Sequence, residues 1–103
     1  MTIGDIVFLC KNKSVRWTSH ILERIFQRGI YIDDVINALT NGEIIEEYTS
    51  DYPFPSCLVL GHTTTGKPLH VVCGSNGTEL WLITTYFPNS MEWSEDFKHR
   101  RTE

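Results

Sequence analysis

Arg16-Trp17-Thr18-Ser19-His20-Ile21-Leu22-Glu23-Arg24-Ile25-Phe26-Gln27-Arg28-Gly29 reads as an amphipathic helix around which the remaining elements have to be placed. Residues spaced about 100° apart gather Ile21, Leu22, Ile25 and Phe26 on one side and His20, Arg24, Gln27 and Arg28 on the other. His20, Arg24 and Arg28 follow at i, i+4 and i+8, so they line one ridge. Like charges four residues apart cost a helix roughly 0.2–0.5 kcal/mol per pair, and Glu23 relieves this only in part. A ridge of one imidazole and two permanent cations suits a phosphate. A solvated polar face is the plainer reading of the same residues.

On either side of that stretch the chain predicts a compact α+β order. The segment before it, with Ile3, Ile6, Val7, Phe8 and Leu9, fits a short strand or a helical turn, which periodicity does not separate. Thr18 or Ser14 can cap the helix and Gly29 can close it in the left-handed conformation, giving a span of about 15–28. Ile32, Val35, Ile36 and Leu39 then mark a second, short, structural helix. Asp33 and Asp34 stand at its positive end, and Gly42 follows it.

From Glu43 the period becomes that of strands: 43–48, 57–62, 69–74 and 80–87. Pro53 and Pro55 interrupt pairing after the first, and 63–68 forms a hairpin loop. Asn76-Gly77 predicts a type I′ turn with two positive-φ residues. The expectation is therefore two N-terminal helices packed on a four-stranded antiparallel sheet. In the last strand Leu80, Leu82, Thr84 and Tyr86 should face one way and Trp81, Ile83, Thr85 and Phe87 the other. Residues 89–103 read as a polar tail in which Trp93 and Phe97 are docking points and Lys98-His99-Arg100-Arg101 is solvated.

A chain of 103 residues with 41% hydrophobic content reads as a single domain, its core at about 15–88, able to bury roughly 60–70% of its unfolded surface. No apolar window long enough for a membrane span and no signal-peptide pattern is present, so a cytoplasmic location with no membrane partner is expected. Cys10, Cys57 and Cys73 have neither disulfide-framework nor zinc spacing and read as small buried thiols. The net charge of −4 excludes indiscriminate nucleic-acid binding. The basic residues cluster at 11–13, 16–28 and 98–101, whereas 33–51 is acidic.

No phosphate-binding glycine loop, nucleophile elbow or H-E-x-x-H motif occurs, and His20, His62, His70 and His99 lack the spacing of a metal set; no cofactor or metal is expected. His62 and His70 are candidate cross-strand neighbours on one hairpin. Metal-independent RNA cleavage needs a base for the 2′-hydroxyl, an acid for the 5′-oxygen and cations at the phosphorane. Imidazole suits either proton role, and guanidinium matches two phosphate oxygens. The candidate set is His20 and His70 for proton transfer, Arg24 and Arg28 for the phosphate, and Thr85 and Tyr86 as hydrogen-bond donors or a stacking surface.

The run from Trp17 to Ile30, then Asp33-Asp34-Val35, Gly42-Glu43-Ile44-Ile45-Glu46-Glu47-Tyr48, Tyr52-Pro53, Leu69-His70-Val71-Val72 and Ile83-Thr84-Thr85-Tyr86-Phe87-Pro88, resembles a family of small bacterial proteins described as a domain of unknown function. That family is grouped with the RelE-like and BrnT-like toxins of type II toxin–antitoxin systems. The resemblance implies a RelE-like, microbial-RNase-like fold and an endoribonuclease toxin acting on RNA, including ribosome-bound mRNA, with a cognate antitoxin protein as partner. It puts a His-Arg-Arg pattern on His20, Arg24 and Arg28 and a Thr-x-Tyr-x-Pro-like ending on residues 84–88. RelE-like nucleases are usually basic; this chain is acidic. The alternative is a non-catalytic protein-interaction module of the same fold, and a small-ligand domain is a third class for which no residue names a ligand.

Overall fold

The computed structural model describes residues 1–102. Three helices, α1 (Ile3–Lys11), α2 (Ser19–Gln27) and α3 (Ile32–Asn41), accompany five strands: β1 (Val15–Arg16), β2 (Glu43–Tyr48), β3 (Ser56–His62), β4 (Pro68–Ser75) and β5 (Leu80–Tyr86). The sheet runs β1-β5-β4-β3-β2. Strands β2 to β5 form the expected antiparallel meander, but β1 joins β5 in parallel, making the sheet mixed.

Two elements were not counted in the two-helix, four-strand expectation. The lead-in is α1: Thr2 accepts from the Asp5 amide while the Asp5 carboxylate accepts from the Thr2 amide, a capping box that settles helix over strand. Residues 15–16, expected in the first helix, pair instead with Leu80 and Trp81, and the Leu80 amide donates to the Ser14 carbonyl. Two residues carry no period, so only the pairing partner reveals the strand. Thr18 is then the N-cap of α2, its hydroxyl accepting from the Ile21 amide. Gly29 takes φ +71, as expected of the residue that ends this helix.

All three helices lie on one face of the sheet. Ile6 and Leu9 of α1, Ile21 and Ile25 of α2, and Val35, Ala38 and Leu39 of α3 meet Cys57, Val59, Leu69, Val71, Cys73, Leu80 and Leu82 in one core. The three thiols are buried, as expected, with Cys57 and Cys73 paired across β3 and β4. Where α3 crosses β3 the contact is backbone on backbone: a Cβ on Gly61 would run into the Ala38 carbonyl and Cα. Buried Asp34 ties α3 to the 63–67 loop, accepting from the Tyr31 amide (2.9 Å), the Thr64 amide (3.0 Å) and the Thr64 hydroxyl (3.1 Å). Burial pushes its carboxyl up, but these bonds outweigh it and hold the carboxyl below its ordinary value.

Two local expectations change. The Asn76-Gly77 turn is not type I′, because Gly77 has positive φ (+96) and Asn76 does not. Asn76 instead works through its side chain, Oδ1 accepting from the Thr78 amide, the Thr78 hydroxyl and the Glu79 amide. In β5 the register with β4 shifts so that Val72 faces Thr84 and Cys73 faces Leu82, leaving Ile83 unpaired and exposed. An extra residue reverses every later side chain. Thr85 thus joins Leu80 and Leu82 on the helix-covered side, and Thr84 and Tyr86 join the opposite side.

Candidate functional site

Buried Ile21 and Ile25 define how α2 sits. At about 100° per residue the buried sector is centred between them, roughly 50° away from the centre of the Ile21-Leu22-Ile25-Phe26 face read from sequence. Phe26 is consequently 86% exposed and Leu22 is exposed beside it. On the other flank, the turn brings Arg28 against the edge of β5. Its Nη1 donates to the Thr85 carbonyl at 2.7 Å and to the Thr84 hydroxyl at 3.4 Å. That edge is open there because β1 covers β5 only at Leu80 and Trp81.

His20 and Arg24 are exposed on the same ridge. The ion pairs among the described residues are Arg16 with Glu79, Lys98 with Glu43 and Arg100 with Glu46. Arg24 and Arg28 therefore have no carboxylate partner among the described residues, and Glu23 makes no pair with them. This separates the ridge from an ordinary solvated face, where opposite charges four apart relieve one another.

The remaining candidates occupy other places. The Thr85 side chain is fully buried and its hydroxyl donates to the His70 carbonyl at 2.8 Å, so it offers nothing to RNA. His70 is 0% exposed on the outer sheet face, paired with Leu60 on β3 and Tyr86 on β5. Contacts run from Arg28 to Thr85, from Thr85 to His70 and from His70 to Tyr86, but through two faces of the sheet. The six residues are not one cleft. His62 opposes Pro68 rather than His70 and is exposed, so the two histidines are diagonal neighbours.

What covers His70 is the tail. Trp93, 3% exposed, meets the imidazole edge-on at 4.5 Å between ring centres. Nε2 lies 2.9 Å from the Phe97 carbonyl oxygen and Nδ1 lies 3.3 Å from the Tyr86 hydroxyl. A carbonyl only accepts, so Nε2 carries the proton and Nδ1 accepts from Tyr86. Burial holds the imidazole below its ordinary pKa, against the opposing pull of the Phe97 carbonyl and Glu46.

Further along, Arg100 forks onto Glu46, with Nε to Oε2 at 3.0 Å and Nη2 to Oε1 at 3.1 Å, and lies 4.7 Å over the Trp93 ring. The Arg100 bond draws the Glu46 carboxyl down. Burial and the 2.6 Å bond to Glu46 push Tyr48 up to about 12. Docking by Trp93 agrees with the sequence, but residues 98–101 are not simply solvated. Lys98 and Arg100 reach Glu43 and Glu46, so the chain's own acidic strand takes its own basic end.

A groove of about 480 Å³ lies between α2 and α3, lined by Leu22, Phe26, Gly29, Tyr31 and Ile32. Tyr31 is 74% exposed there. Among the described residues no cluster of His, Cys, Asp and Glu is arranged to hold a metal, and no helix is long and apolar enough to cross a membrane.

Residues 17–87 match the family described as a domain of unknown function, DUF4258. No curated protein and no solved structure matches the chain. The matched span takes in α2, α3 and β2 to β5 whole, and leaves α1 and residues 88–103 outside it. The chain belongs to the DUF4258 family.

Proposed function

We propose that this DUF4258 member is an RNA-directed protein of the RelE-like toxin kind, the toxin half of a toxin–antitoxin pair, and that the α2 ridge is where RNA meets it. The observation that carries the reading is that Arg24 and Arg28 project from one exposed ridge beside His20 with no carboxylate partner among the described residues. Guanidinium groups left unpaired in this way suit the two oxygens of a phosphodiester. Arg28, steadied by the Thr85 carbonyl, would hold the phosphate in place, and Arg24 would add charge where the phosphorane forms.

His20 is the proton-transfer group in this reading. It takes the proton of the ribose 2′-hydroxyl as that oxygen attacks phosphorus. The bond to the 5′-oxygen breaks, and that oxygen leaves with a proton delivered from water; the hydroxide so formed takes the proton from the His20 imidazolium, which restores the free base. The products are a 2′,3′-cyclic phosphate and a 5′-hydroxyl end, with no metal in the step. His70 and Thr85 take no part in it, since one is sealed under the tail and the other is inside the core.

A second reading, a non-catalytic module that binds a partner protein such as the antitoxin, is favoured by one observation: the Leu22, Phe26, Tyr31 and Ile32 side chains left in water along the α2–α3 groove. Induced expression of the wild type, His20→Ala and Arg24→Ala/Arg28→Ala, followed by growth and total-RNA integrity, separates the two. The nuclease reading predicts arrested growth and fragmented RNA for the wild type alone, with all three chains folded. If His20→Ala behaves as wild type while Phe26→Asp loses a co-purifying partner, the module reading replaces it.

A further inference from the structure

The outer sheet face carries a second set of polar groups that the α2 ridge does not use. Glu46 and Tyr48 on β2, His70 on β4 and Tyr86 on β5 all belong to the family-matched span. Their cover, residues 89–101, lies wholly outside it. Nearly all of that cover is built from local turns. Asn89 Oδ1 accepts from the Met91 and Glu92 amides, Asp96 Oδ1 accepts from the Lys98 amide, and Trp93 and Arg100 form one isolated bridge. It adds no strand to the sheet. Its hold on the face comes down to the Trp93 ring, the Phe97 carbonyl, Lys98 on Glu43 and Arg100 on Glu46.

We propose that residues 89–101 are a latch that opens as a unit without unfolding the sheet, and that it occupies an acid/base site formed by His70, Tyr86, Glu46 and Tyr48. The closed latch behaves as a bound ligand does. The Phe97 carbonyl oxygen sits where Nε2–H of His70 points, and the Arg100 guanidinium sits in the fork of Glu46. Lifting the latch frees Nε2 while Nδ1 keeps its bond from the Tyr86 hydroxyl, leaving an imidazole already oriented for proton transfer. Glu46 keeps the Tyr48 hydroxyl but loses its cation. What the face then accepts has the chemistry of its present occupant: a polypeptide segment with an acceptor oxygen for Nε2–H and a guanidinium for Glu46. The site stands apart from the α2 ridge and does not depend on the RNA reading.

Diethyl pyrocarbonate modification of each histidine in the full chain, read by mass spectrometry beside amide exchange, tests this. His20 is exposed, lies on α2 away from the latch and serves as the fast internal standard. In the wild type the His70 rate should change less than about two-fold between 0 and 1 M urea. Opening by global unfolding would raise it about 5-fold or more, given the usual urea dependence of small domains. Arg100→Gln should raise the His70 rate at least about ten-fold with β3 and β4 amide exchange unchanged, the scale expected from losing a charge-assisted bond. Adding about 1 mM of a peptide with the sequence of residues 89–101 to that variant should slow the His70 reaction again, and the same peptide with Arg100→Gln should not; the concentration matches a tethered segment. A His70 rate that follows urea and global exchange, or that stays unchanged in Arg100→Gln, overturns the latch. Failure of the wild-type peptide to protect an exposed His70 overturns the site.

Discussion

The α2 ridge and the outer sheet face both carry imidazole and guanidinium, yet they treat them in opposite ways. On α2, His20, Arg24 and Arg28 stand in water, and both cations lack a carboxylate partner among the described residues. On the sheet, His70 is wholly buried, both ring nitrogens are engaged, and Arg100 is held by Glu46 and stacked on Trp93. A charge left unpaired at a surface contributes little to folding and stays free for a ligand; a buried, doubly bonded imidazole and a guanidinium forked onto a carboxylate are tied into the fold and withheld from one. Substitutions on the two faces should therefore separate stability from binding.

The sharpest contrast is expected from Trp93→Ala. Removing a buried indole from the latch should cost about 3–5 kcal/mol in urea unfolding. An effect below about 1 kcal/mol would mean that the latch is not packed as described.

Next in size is the pH dependence of His70. Its pKa lies below the ordinary value in the folded chain, so the unfolded chain binds the proton more readily. The stability that neutral His70 contributes is present above about pH 6.5, and it is lost as pH falls from there toward the lower folded pKa. The slope for one proton is at most about 1.4 kcal/mol per pH unit, and His70→Gln should flatten that part of the curve. An unchanged curve would place the titration elsewhere. His20→Gln, on the open ridge, is the matched control.

Smaller again is Arg28→Ala, which loses the bond to the Thr85 carbonyl and should cost about 1 kcal/mol. Arg24→Ala should change stability by less than about 0.5 kcal/mol, as for surface positions that bond to nothing. Should Arg24→Ala prove the more destabilising, the ridge would be a structural feature rather than a free cationic surface.

Much of the helix-covered side was readable because period and capping agree there. The Gly29 end, the α3 stripe at Val35 and Leu39, and four strands all follow from spacing, whereas spacing leaves the α2 cap open between Thr18 and Ser14. The missed features are those that spacing cannot carry. Strand β1 exists through pairing with Leu80 and Trp81, not through its own two residues. The tilt of the buried sector on α2 depends on which apolar pair the sheet accepts, and Ile21 with Ile25 leaves Phe26 outside. The Ile83 bulge inverts the faces of Thr85 and Tyr86, and no feature of Leu80-Trp81-Leu82-Ile83-Thr84-Thr85-Tyr86 alone announces it. The candidate residues were accordingly found as residue types, while their division between two faces required the register. The one hint of the latch was complementary charge: an acidic stretch at 43–47, which becomes β2, and a basic end in a chain whose tail carries Trp93 and Phe97.

Salt-dependent binding of a short single-stranded RNA to the purified wild type and to Arg24→Ala/Arg28→Ala tests the contrast between the two faces most directly. Each phosphate contact to single strands contributes about −0.7 to the slope of log affinity against log salt. The wild type should bind, and the double variant should lose about 1.4 of slope while retaining its unfolding free energy to within about 1–1.5 kcal/mol, the sum expected for the two substitutions. An unchanged slope, or a wild type that binds no RNA at low salt while folded, would contradict the assignment of the α2 ridge to phosphate.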